Sequence, residues 1–165
     1  RMLPPRRGRT GNVARTGSKT PKKPAITVFH CVNALEGGHS AALRRDDADI
    51  SIVRMACSSM TRDVYLLHAF EAGADAVVLL VCPERQCRYI DGNVRAARRT
   101  GRVKFLLDEI GLGRERIELY NVAPGDEAAV KDIIDGTLHT LKTIGPSPAA
   151  WAGSPDPAAG MEQRV

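Results

Sequence analysis

Aromatic residues are scarce in this chain: one tryptophan, three tyrosines and three phenylalanines among 165 residues. The first 24 residues, RMLPPRRGRTGNVARTGSKTPKKP, contain none of them. That stretch is rich in arginine and lysine but has nothing to stack on bases, so no nucleic-acid partner is expected. It also lacks the apolar segment of a secretory signal. No apolar run approaches the roughly 20 residues that cross a bilayer. A cytoplasmic location without a membrane span is the expectation. Other signatures are missing too. No Ser/His/Asp arrangement, no paired carboxylates and no glycine-rich phosphate loop support hydrolysis or nucleotide chemistry. Gly37-Gly38 marks a turn or flexible loop rather than a phosphate cradle. Cysteine is rare as well, with four in the chain and no C-x-x-C pair.

What the chain has is an uneven charge and a regular alternation of elements. The formal charge is +5, yet residues 1–24 hold eight basic residues and no acid, which leaves the remainder at −3. A disordered basic arm over 1–24 is expected, since so few apolar residues cannot offset the entropy of ordering. Residues 146–165, rich in proline, alanine and glycine, read as a flexible tail carrying Trp151. Between them, 25–145 reads as one domain of ordinary composition.

Within that domain the periodicity predicts strands at Ala25–His30, Ile50–Met55, Ala76–Val81 and Arg116–Val122. Helices are expected at roughly 39–45, from Ser59 or Thr61 as cap to Ala72, over Gly92–Ile110, and from Pro124-Gly125-Asp126-Glu127 to Ile144. Val64, Leu66, Leu67 and Phe70 are the expected apolar residues of the second helix. Val103, Leu106, Leu107 and Ile110 are the expected core stripe of the third, and Val130, Ile133, Ile134, Leu138 and Leu141 that of the last. Strands alternating with helices predict an α/β fold: a single open, mostly parallel four-stranded sheet with helices on both faces, of the flavodoxin or Rossmann kind, with flexible extensions at both ends.

The four cysteines fall at comparable places. Cys31 follows AITVFH, Cys57 follows ISIVRMA, and Cys82 and Cys87 bracket the turn after AVVLLV. Parallel strands end on one edge, where ligand sites of open α/β folds gather, so the four thiols are expected to converge there on one metal centre. Their spacing, Cys31-x25-Cys57-x24-Cys82-x4-Cys87, lacks the two close knuckles of most structural zinc sites. An iron–sulfur cluster, a zinc ion or redox-active thiols each remain compatible with it. The helix expected after Cys57 would favour a thiolate there. Arg95, Arg98, Arg99 and Arg102 share helical spacing, as a solvated basic face or a docking surface for an acidic partner.

The stretches MACSSM, AFEAGADAVVLLVCPERQC and RYIDGN, followed by a basic helix, resemble the delta subunit of methyl-viologen-reducing hydrogenase, the hydrogenase iron–sulfur subunit family. The resemblance covers about 25–145. It implies a non-catalytic electron carrier with one [2Fe–2S] cluster held by Cys31, Cys57, Cys82 and Cys87. Such subunits relay electrons between a hydrogenase or formate dehydrogenase module and a flavoprotein of the heterodisulfide reductase A type. Similar domains accompany tungsten-dependent aromatic-ring reductases and methylenetetrahydrofolate reductases of anaerobes. Family members often carry Cys-Cys-x-x-Cys where this chain reads His30-Cys31-Val32-Asn33-Ala34. His30 is then expected beside the ligands rather than among them. The competing readings are a zinc-bound structural adaptor and a thiol oxidoreductase using Cys82 and Cys87.

Overall fold

The computed structural model describes residues 23–35 and 41–148. The expectations for the basic arm, the Gly37-Gly38 loop and Trp151 lie outside the described residues.

Four strands, β1 (Ala25–Cys31), β2 (Asp49–Met55), β3 (Ala76–Val81) and β4 (Ile117–Asn121), form one sheet in the order β2-β1-β3-β4. Every pairing is parallel, with Val28 beside Ile52 and Val78, and Val78 beside Glu118. Three helices connect or follow them: α1 (Asp63–Glu71), α2 (Gly92–Glu109) and α3 (Glu127–Ile144). The expected α/β sheet with helices on both faces is what forms, and its order is the doubly wound one that places ligands beyond the strand carboxyl ends.

Strand β3 shows why. All six of its residues are buried, as a central strand covered on both faces requires. Val77, Leu79 and Val81 pack into the core shared with Leu66, Phe70, Val103 and Leu107 of α1 and α2. Ala76, Val78 and Leu80 pack into the opposite core with Val130, Ile134, Leu138 and Leu141 of α3. The period-two alternation of one strand thus holds two helical layers.

Several local expectations are corrected. The first connection carries only a single 3-10 turn, Ala41–Leu43, among its described residues. Neither Ser59 nor Thr61 caps α1, which begins at Asp63 behind Arg62 without a side-chain cap. Leu66, Ala69 and Phe70 make its buried face, while Val64 is 42% exposed. The stripe of α2 is Ala96, Thr100, Val103 and Leu107, and Leu106 and Ile110 lie on the outside. The cause is at the N-terminus: Gly92 and Asn93 are buried at the sheet edge and set the rotation of the helix. Small residues therefore face the core along its first half.

At the opposite edge a buried polar clamp closes the fold. The Asp75 carboxylate accepts from the Ala25 amide at 2.9 Å and the Ser147 amide at 2.7 Å. Buried Arg116 donates to the carbonyls of Leu112, Asp75, Gly145, Ile144 and Pro146. The chain is thereby held past the end of α3, through Ser147, where a free tail is expected from the sequence. No helix among the described residues is long and apolar enough to cross a membrane.

Candidate metal centre

Each cysteine is placed by the residue that ends a strand or opens a turn. Cys31 is the last residue of β1, and the amides of Ala34 and Leu35 fold back onto its carbonyl. Cys82 follows β3 directly. Its carbonyl accepts from the side-chain amides of Asn93, at 3.2 Å, and Asn121, at 2.6 Å. Cys57 follows β2 and caps a 3-10 turn, Ser58–Met60, with its sulfur accepting from the Ser59 amide at 3.4 Å. A thiol stands here where a serine or aspartate oxygen usually caps. Cys87 ends the loop that leaves β3, just before the N-terminus of α2.

The sulfurs meet in two pairs. Cys31 and Cys82 lie 3.6 Å apart, too far for a disulfide, whose bond is near 2.05 Å. All four thiols are free. Cys57 and Cys87 both lie against Gly92. A Cβ on Gly92 would sit 2.7 Å from the Cys57 sulfur and 3.1 Å from that of Cys87. The charges of Cys57 and Cys87 also act on Cys82, so the two pairs share one neighbourhood. Cys31, Cys57 and Cys82 are buried, and Cys87 is half-buried. Among the described residues, no three of the His, Cys, Asp and Glu side chains gather round a point tightly enough to hold a single metal ion.

The thiols differ in proton affinity. Burial pushes the Cys82 thiol up to about 12, with the Cys31 contact and the other thiols adding to it. Burial also opposes ionisation of Cys87, but backbone N–H groups of Tyr89, Asn93 and Gly92 and the Cys57 thiol outweigh it and lower its pKa. Two of those amides open α2, an 18-residue helix. The helix expected to favour a thiolate at Cys57 begins only at Asp63, as α1, and Cys57 has a three-residue turn instead; it is α2 whose first amides favour a thiolate, at Cys87.

Sequence reasoning missed the supports. Asn33 donates toward the Cys31 sulfur at 3.9 Å. Arg99 donates to the carbonyls of Ser59, at 2.6 Å, and Thr61, holding the Cys57 turn against α2. Asn121 could have been noticed as an amide at the end of β4, on the edge where the other strands carry thiols. His30 is fully buried with Nδ1 3.3 Å from the Cys31 carbonyl. His68 and His139 lie on the surface.

The family described as methyl-viologen-reducing hydrogenase, delta subunit, matches residues 26–145. The chain belongs to that family. It is 30% identical over 128 residues to the vhu iron-sulfur subunit of the F420-non-reducing hydrogenase of Methanocaldococcus jannaschii, covering 76% of this chain and 96% of that one. It is 31% identical over 131 residues to the vhc iron-sulfur subunit of the F420-non-reducing hydrogenase of Methanococcus voltae, covering 75% and 88%. A stretch of 102 residues is 29% identical to the A component of the ferredoxin/F(420)H(2)-dependent CoB-CoM heterodisulfide reductase of Methanosarcina acetivorans. That match spans 62% of this delta-family chain and 13% of the larger protein.

The donor set fits an iron–sulfur group. Four thiols are soft ligands of the right class. Gly92 leaves the space between two of them open, where any side chain would fill it. Ser58 Oγ is fully buried beside Cys57 and has no hydrogen-bond partner among the described residues, a donor position of the kind that sulfur can satisfy.

Proposed function

We propose that Cys31, Cys57, Cys82 and Cys87 hold a [2Fe–2S] cluster and that the chain is a non-catalytic electron-transfer protein of a larger assembly. Its partners are a hydrogenase, formate dehydrogenase or related reductase module on one side and a heterodisulfide-reductase-A-like flavoprotein on the other, in a cytoplasmic complex. The observation that carries the reading is the grouping of sulfurs at one sheet edge, Cys31 3.6 Å from Cys82 and both Cys57 and Cys87 against Gly92. Two pairs suit a group with two metal positions better than one ion, which would need three or four sulfurs about one point. The names of the relatives support an iron–sulfur group and a hydrogenase partner. The related stretch in the A component of a heterodisulfide reductase supports the flavoprotein side.

A bound cluster of this type supplies reversible one-electron chemistry, which needs no general base and no substrate pocket. The chain's residues hold and tune it. The Ser59 amide directs its N–H at the Cys57 sulfur, and the amides of Tyr89, Asn93 and Gly92 favour the Cys87 thiolate. Asn93 and Asn121 fix the Cys82 carbonyl and with it the start of the loop. Arg99 fixes the Cys57 turn. Arg85 and Arg88, exposed within the cysteine loop, place positive charge where reduction adds an electron. Stopped-flow mixing of the anaerobically reduced chain with the oxidised flavoprotein tests the role. Single-electron reoxidation of the chain on mixing is expected, and a chain that takes up no electrons from dithionite would end the proposal.

A further inference from the structure

The sulfur edge has a surface of its own, and its composition differs from the rest of the molecule. Between Cys82 and Arg102 the sequence holds six arginines against Glu84 and Asp91, a net +4, while the remainder of 25–165 carries −7. Asp91 is paired with Arg95, and Arg102 with Asp63. Arg85, Arg88 and Arg98 are exposed and make no ion pair among the described residues. Their charge is directed outward from the loop and first turns that surround the thiols.

Apolar side chains stand among these arginines. Ile90 is 89% exposed, Tyr89 55% and Met60 44%. Two of them are tied to a cysteine by their own backbone: the Ile90 amide donates to the Cys87 carbonyl and the Met60 amide to the Cys57 carbonyl. Ile90 also holds φ at 68°, a conformation that β-branched residues rarely adopt and that marks functional positions. A strained isoleucine thrust into water beside the thiols gains nothing for the isolated fold.

We infer that this edge is a docking face for an acidic redox protein: Ile90, Tyr89 and Met60 enter an apolar socket on the partner while Arg85, Arg88 and Arg98 meet carboxylates around it. The inference rests on the electron-transfer reading and adds the charge and shape of the partner's surface. Opposite charge about a small apolar centre gives fast, salt-sensitive encounter at modest contact area, as transient redox partners need.

Two redox probes of matched potential test the charge, the methyl viologen radical cation and a doubly sulfonated viologen radical anion. With the anaerobically purified, loaded chain at low salt, the anion is expected to reduce it at least about tenfold faster than the cation, with the ratio falling toward one at high salt. Using the ratio cancels any change in the chain's own potential. In an Arg88→Glu, Arg98→Glu variant the preference should reverse, and Arg114→Glu, on the opposite edge, should leave it intact. A photo-crosslinking residue at position 90 in the purified complex should join a partner segment of net negative charge. A loaded chain with no charge preference, or crosslinks only to basic segments or to none, overturns the docking face alone. A chain without iron–sulfur absorbance overturns the electron-transfer reading beneath it.

Discussion

The sulfur of Cys31 lies 3.6 Å from that of Cys82, across 51 positions of sequence. The contact follows from β1 and β3 being parallel neighbours, His30 beside Leu80, so that the next residues of both strands emerge at one edge. The second pair is made differently. Cys57 and Cys87 both reach Gly92 because the turn after β2 packs on the start of α2.

Each of Cys31→Ser, Cys57→Ser, Cys82→Ser and Cys87→Ser should lower the iron retained on anaerobic purification and shift the visible spectrum, because serine offers a harder oxygen ligand. Circular dichroism should stay that of the folded α/β protein. A variant that keeps full iron and an unchanged spectrum removes its residue from the ligand set.

Gly92→Ala separates the helix from the cradle. Alanine favours α2 by about 0.5–1 kcal/mol over glycine, yet its methyl would crowd the sulfurs of Cys57 and Cys87 at 2.7 and 3.1 Å. Iron binding should weaken by far more than the thermal midpoint of the iron-free protein shifts, because without iron the two cysteine side chains are free to turn away from the methyl. Iron analysis and a melting curve on the same preparation decide it. Unchanged iron content would show that the sulfurs do not need this space.

At the far edge, Asp75→Ala should act on stability alone. It leaves the half-buried Ala25 amide and the buried Ser147 amide without their acceptor, a loss of about 2–4 kcal/mol. Urea unfolding of the iron-free protein measures it. The visible spectrum of the loaded variant should match the wild type, and a changed spectrum would mean that the two edges are coupled.

Arg85→Ala removes one positive charge from the cysteine loop at a residue whose φ is 60°. Reduction adds negative charge nearby, so the potential should fall, on the order of tens of millivolts for one partly screened charge. A redox titration of the loaded protein reads this directly. A potential equal to wild type would confine Arg85 to the surface.

The sheet and the positions of the thiols are legible in the sequence because they rest on the strongest local signals. The run Ala76–Val81 is apolar throughout, and each cysteine follows such a run or its turn. The rotation of α2 is not legible. Its core face begins with Gly92, Asn93, Ala96 and Thr100, residues that a search for large apolar side chains passes over, so Leu106 and Ile110 are expected inward. The cap at Cys57 is hidden because a thiol replaces the usual hydroxyl. Arg116 and Asn121 act through carbonyls brought near by the tertiary fold, which no local pattern reports.

The most direct test of the central claim is the iron, acid-labile sulfide and zinc content of the chain purified without oxygen, taken with its electron paramagnetic resonance spectrum after one-electron reduction. A [2Fe–2S] centre requires two irons and two sulfides per chain and a signal from a single unpaired spin. One zinc per chain with no sulfide, or four titratable thiols and no metal in protein never exposed to air, would contradict it.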